Sequence, residues 1–321
     1  MNNINLLWNQ IKSSGNAAIE FIRISADSIL ELNIGINSLK NRCLILELPK
    51  AYSSNYQTVI KQNLSLHVLR EDGYIILELM DNTYYDLFDD LILSLYMHVY
   101  NIAEIEKCEK ILIATFHKWL DFFEDKKSEL LSQEIIKGLF GELFILQSLI
   151  EDSSSVLLFD DILKSWRGPY DVGHDFVRDK VDIEVKTKEI TKQSVHISSE
   201  YQLFENEGKG LELLVLSVRS DTENGKSIRD LVFEIKENLY VGTSDYTILL
   251  NALAQKGITI LNIDSYDNFK YVPIDSKSYN CCEDMFPRFI KENIHRSQIN
   301  VRYNLIVSEI EEFMIDHKKH T

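Results

Sequence analysis

The run Val181-Asp-Ile-Glu-Val-Lys-Thr187, VDIEVKT, alternates apolar and charged residues along its whole length. In an extended chain Val181, Ile183 and Val185 point to one face, and Asp182, Glu184 and Lys186 to the other. The first face suits a sheet packed on a core. The second carries two acids and a lysine, which is either the solvated side of an edge strand or a place where charge is used. The surroundings of the run decide between these.

Three neighbours favour use. Asp175 stands nine residues before Glu184, and a turn at Arg178-Asp179-Lys180 makes residues 175–177 and 181–187 the strands of a hairpin, with both carboxylates at one end of a sheet. Glu142 lies within IIKGLFGELFILQSLI, a segment apolar nearly all round and so predicted to be a buried helix, N-capped by Ser132 with Glu134 in its first turn. A carboxylate there needs a partner: a cation, hydrogen-bond donors, or an internal base such as Arg167. Gly138 and Gly141 leave the helix bare beside it. Lys186 shares a face with Glu184, where a point charge can meet a phosphate or a water.

Helix acid, first-strand acid, then acid-x-lysine is the order found in PD-(D/E)XK nucleases. The chain resembles a bacterial PD-(D/E)XK family (DUF4420) often encoded in restriction and phage-defence loci. The resemblance is carried by GLFGELFIL at 138–146, WRGPYDVGHDF at 166–176, IEVKT at 183–187 and HISSEYQL at 196–203, with FPRFIKENI at 286–294 matching further on. It departs from the motif in one respect: Asp175 follows His174 rather than proline. Asp175 is favoured as the first acid because its spacing suits the hairpin; Asp171, in Gly168-Pro169-Tyr170-Asp171, is the alternative.

The resemblance implies an α/β (α+β) fold with a restriction-endonuclease-like core, a central mixed sheet flanked by helices. It implies a metal-dependent endonuclease acting on DNA, with Glu142, Asp175, Glu184 and Lys186 as catalytic residues. Asp175 and Glu184, joined by Glu142, are the expected ligands of Mg²⁺, for which Mn²⁺ can substitute, because a hard cation takes oxygen donors and keeps several waters. Gln202, His196 and Ser198 are candidates for positioning substrate or Lys186, and His174 for a supporting role. Expected partners are DNA, a methyltransferase or ATPase subunit of a defence system, and a second copy of the chain. The alternative is a catalytically silent nuclease-fold scaffold or nucleic-acid-binding subunit.

Around this core the chain divides into four expected parts: a β-rich domain over 1–85, a helical connector over 86–128, the nuclease-like core over 129–268, and an extension over 269–321 that packs on the core. LSLHVLREDGYIILELM reads as a hairpin, LELLVLSVRS and FKYVPID as strands, and SDYTILLNALAQKG as a helix ended by Gly257. LVFEIKENL is mixed, GITILNI is expected as a strand, and IVSEIEEFMIDHKK as a final amphipathic helix.

Composition bounds these readings. In 321 residues the formal net charge is −16, which counts against a general nucleic-acid coat and points to DNA contact that is local, metal-assisted or shared. Between Lys164 and His196 seven Lys/Arg meet six Asp/Glu, so this stretch is near neutral within an acidic chain. The four cysteines (Cys43, Cys108, Cys281, Cys282) lack metal-ligand spacing and fit reduced thiols. With no signal-like start and no apolar run of membrane-spanning length, the expectation is a soluble, cytoplasmic chain. Gly225-Lys226-Ser227 lacks the upstream glycine of a phosphate-binding loop.

Overall fold

Ser132 begins the helix that carries Glu142: its hydroxyl accepts from the Ile135 amide, and α4 then runs Gln133–Glu151. Ile136, Leu139, Phe140, Leu143, Leu146 and Ile150 are buried along it, while Ile135, at the helix start, is exposed. The computed structural model describes the chain except for residues 1–3, 12–17, 125–129, 172, 200, 243, 290–293, 296–300 and 321. The chain divides into two compact units, Met1–Lys127 and Ser128–Thr321. The end of FPRFIKENI and most of the EDKKSE break fall outside the described residues.

The first unit holds a five-stranded antiparallel sheet in the order β1 (Ile19–Arg23), β2 (Leu32–Asn37), β3 (Arg42–Glu47), β5 (Tyr74–Leu79), β4 (Leu64–Leu69). The predicted 64–80 hairpin is its β4–β5 pair, with Gly73 at φ 74° in the turn. Helices α1 (Ile4–Gln10), α2 (Tyr85–Val99) and α3 (Ile105–Trp119) belong to the same unit, so the helical segment is part of one body with the sheet.

The second unit is built on a four-stranded mixed sheet ordered β11 (Met314–Lys319), β9 (Tyr271–Asn280), β8 (Gly210–Ser220), β6 (Val181–Glu189). β6 and β8 run parallel; β9 is antiparallel to β8, and β11 to β9. Beyond β6 the sheet is extended by single bridges, Phe176 to Ile183 and Trp166 to Phe176, which is the predicted hairpin in abbreviated form. Helices α5 (Phe159–Ser165), α6 (Ile228–Val241) and α7 (Tyr246–Gln255) complete the unit, and α4 packs against α6 and β6. A small antiparallel pair, β7 (Ser194–Ile197) with β10 (Tyr303–Ile306), lies over an apolar cluster that includes Leu211, Leu213, Val215 and Tyr279.

Three expectations are corrected. Residues 269–321 do not merely pack on the core, because β9 and β11 are strands of the central sheet itself. IVSEIEEFMIDHKK is not a helix: a 3₁₀ turn over Val307–Phe313 buries Val307 and Ile310, and β11 follows. The apolar spacing that suggested an α-helix also fits three residues per turn, and the free edge of β9 captures what comes next. GITILNI is not a strand; Gly257, at φ 73°, ends α7, and a 3₁₀ turn occupies Ile263–Tyr266. The mixed segment LVFEIKENL is helical within α6, started by a Ser227–Asp230 capping box.

Candidate active site

Glu142 is brought to the sheet by a close approach. A Cβ on Gly141 would overlap the hydroxyl of Thr187 on β6, so only glycine lets α4 come this near. Glu142 does not pair with Arg167, which stacks on Tyr170 at 5.1 Å. Its Oε2 accepts from Trp166 Nε1 at 2.8 Å.

Asp175 is fixed through backbone and side chain together. Its carbonyl accepts from the amides of Arg167 (2.7 Å) and Gly168 (3.1 Å), and its Oδ2 accepts from the Val185 amide at 2.8 Å. The carboxylate therefore lies against β6 beside Glu184. A Cβ on Gly168 would overlap the carboxylates of both Glu142 and Asp175, so glycine lets the two acids pack against this turn. The WRG turn thus does three things at once: it donates to Glu142, holds Asp175 and lets both carboxylates pack against Gly168.

Glu184 is buried, at 2% exposure. Its Oε1 is 2.8 Å from Lys186 Nζ, and the same ammonium donates to Gln202 Oε1 at 3.1 Å. Gln202 Oε1 also accepts from the Ser198 amide at 2.8 Å, so the Ser198 backbone orients the side chain that holds the lysine. Ser198 acts here by its amide rather than its hydroxyl. His196 is exposed and pairs with Asn304 at 3.1 Å, within the β7–β10 pair.

Asp171 is not brought to this cluster. It ends the 168–170 turn in the left-handed region at φ 52°, is 84% exposed at its side chain, and pairs with Lys256 at the end of α7. His174 stands on a different carboxylate, with Nδ1 3.6 Å from Asp182, and burial pushes its pKa down.

The electrostatics follow from this crowding. Loss of water around the Glu142 carboxyl, and then the charge of Asp175, push its pKa up to about 8, against the Trp166 hydrogen bond. Asp175 is raised by desolvation and by Glu184; Glu184 is raised by desolvation, against the pull of Lys186. Carboxyls that raise one another are poised to lose protons to a cation. Oxygen donors of this kind suit a hard divalent ion held by one or two carboxylates. Among the described residues no group of three or more His, Cys, Asp or Glu side chains converges as a metal cage.

Sequence reading missed Trp166, Gly168 and Lys256. WRG adjoins the first acid and offered a signal; Lys256 lies 72 positions beyond Glu184 and offered none.

A restriction-endonuclease-like core with acids from a helix, a strand end and an acid-x-lysine strand defines the nuclease-like class. The family described as "Putative PD-(D/E)XK family member (DUF4420)" matches residues 4–308, and the chain belongs to it. No curated protein and no solved structure matches the chain. Among the described residues no helix is long and apolar enough to cross a membrane.

Proposed function

We propose that the chain is a divalent-metal-dependent endonuclease that hydrolyses DNA phosphodiester bonds within a restriction or anti-phage system. One observation carries the reading: the carboxyls of Glu142, Asp175 and Glu184, distant in sequence, are buried close enough to act on one another, with Lys186 bonded to Glu184. A fold has no stabilising reason to bring acids together against desolvation and mutual repulsion.

Asp175 and Glu184 are the residues that would hold Mg²⁺ or Mn²⁺. Such an ion, when bound, neutralises charge developing on the phosphate and lowers the pKa of its water. Lys186, anchored by Gln202, orients the attacking water and faces the phosphate with a cation. Glu142, whose pKa burial and the Asp175 charge push up to about 8, limits the negative charge that would repel the phosphate. His196 and Ser198 border the approach to Lys186. Cutting both strands of a duplex calls for two such sites, which favours a homodimer, and the acidic surface favours help from a methyltransferase or ATPase subunit in engaging DNA.

The test incubates purified protein with modified and unmodified phage DNA, with Mg²⁺, with Mn²⁺ or with chelator, beside Glu184→Ala and Lys186→Ala. Cleavage that needs the ion and both side chains supports the reading. Chelator-insensitive cutting, or cutting undiminished in both variants, removes it. DNA bound but never cut would favour the silent-scaffold alternative.

A further inference from the structure

The register of the central sheet aligns cations on one face. Lys186 on β6 is in line with Val215 on β8, Lys277 on β9 and His317 on β11; the next row is Lys188, Ser217, Asp275 and Lys319. Residues directly paired across strands project to the same face, so Lys188, Lys277, His317 and Lys319 share the face of Glu184 and Lys186. The opposite face meets α4, where Lys318 pairs with Asp152 at 3.4 Å and His320 packs edge-on to Phe144 at 4.8 Å.

The acids nearby do not saturate these cations. Lys188 Nζ donates to a backbone carbonyl, that of Lys192, at 2.9 Å. Lys277 pairs with Glu311 at 3.2 Å and His317 with Asp275 at 3.6 Å. Asp275 keeps a buried Oδ1 with no hydrogen-bond partner. Desolvation pushes the Lys188 pKa down, and Lys277 adds to this against Asp275. Three ammonium groups therefore face two carboxylates in a chain whose net charge is −16, and an anion laid on the face would relieve the excess.

We propose that Lys188, Lys277, His317 and Lys319 form a track for the phosphates of a DNA strand leading away from Glu184 and Lys186. The inference rests on the nuclease reading of those acids. Three interstrand steps make the row about 14 Å wide, roughly four nucleotides at the rise of one strand. The track follows the rim of the apolar cluster under β7 and β10, where Val215 is covered and Lys277 emerges beside Glu311.

The experiment measures binding of a fluorescein-labelled DNA duplex by anisotropy from 50 to 200 mM salt (~0.05–0.2 M, the range in which phosphate contacts are read). The parent is the full chain carrying Glu184→Ala to prevent cutting, and the variant adds Lys188→Glu, Lys277→Glu and Lys319→Glu. We expect Kd to rise about tenfold or more and the log–log salt slope to fall by about 3. The melting profile should be unchanged, and a control with Lys107→Glu and Lys164→Glu should bind like the parent. If the triple variant melts early, the three single Lys→Gln changes carry the test, each removing about 1 from the slope. An unchanged slope and Kd, or a parent that binds no DNA, overturns the track. Failure of the nuclease reading is distinct: wild-type protein then binds with the expected slope but cuts nothing with either metal.

Discussion

Asp182 and Glu184 stand two residues apart on one face of β6, both buried, at 0% and 2% exposure, yet the fold treats them oppositely. Asp182 is supplied with donors: the Arg178 amide at 3.1 Å, Asn206 Nδ2 at 2.5 Å and Lys209 Nζ at 3.3 Å, with His174 at 3.6 Å. These contacts tie the 178–180 turn and the 206–209 loop to the strand. Glu184 receives Lys186, and against it the fold sets two further acids. A buried acid given donors is a staple; a buried acid set beside other acids is what the proposed metal site calls for. The same alternating strand carries both, so alternation alone could not tell them apart.

The largest effect that would break this comparison is the loss of cleavage. Glu184→Ala and Asp175→Ala should each lower the cleavage rate on the order of 10³-fold or more, since they remove charge stabilisation worth several kcal/mol. Their thermal melts should stay at or above wild type, because each relieves repulsion. Asp182→Ala should do the reverse. It strands a lysine, an asparagine and an amide and should cost about 3 kcal/mol of stability, read as a drop in Tm. Equal melting of the Asp182 and Glu184 variants would dissolve the distinction.

Gly168→Ala probes the space rather than the charge. A methyl group there overlaps Glu142 and Asp175, so divalent-ion affinity, measured by calorimetry, should fall about tenfold or more. Titration gives a further contrast. The Glu142 pKa is raised to about 8 in the fold from the ordinary carboxyl value of 4.5. Its contribution to stability is therefore complete below pH 4.5 and is lost as pH rises through about 8. Glu142→Gln should melt like wild type at acid pH and above it at alkaline pH. Cleavage by wild type should rise with pH as Asp175 and Glu184, whose pKa values burial raises, shed their protons to the ion. The smallest effect is expected at Asp171→Asn: the side chain points to solvent and Lys256, so cleavage should stay within about threefold of wild type, an exposed ion pair being worth little.

How much of this could be read from the chain depends on range. The β6 strand and the α4 helix were legible because burial imposes periods of two and 3.6 on neighbouring residues. Glu142 announced itself as a charge on a helix apolar nearly all round. The choice of Asp175 over Asp171 rested on spacing, and the structure puts Asp175 beside Glu184 while Asp171 turns outward. The donors to Asp182 were hidden, since Asn206 and Lys209 reach it from a loop more than twenty positions away. β11 was hidden for a similar reason: MIDHKK has no buried face of its own, and only the edge of β9 makes it a strand. The row of cations beside Lys186 is likewise a product of register, with Lys277 and His317 placed there by two antiparallel pairings.

The most direct measurement is a crystal of the full chain soaked in Mn²⁺, with anomalous scattering recorded from wild type and from Glu184→Ala. The account predicts a peak between the Asp175 and Glu184 carboxylates, with Lys186 beside it, and no such peak in the variant. A wild-type map with Mn²⁺ elsewhere, and Lys186 still closed on Glu184, would contradict it.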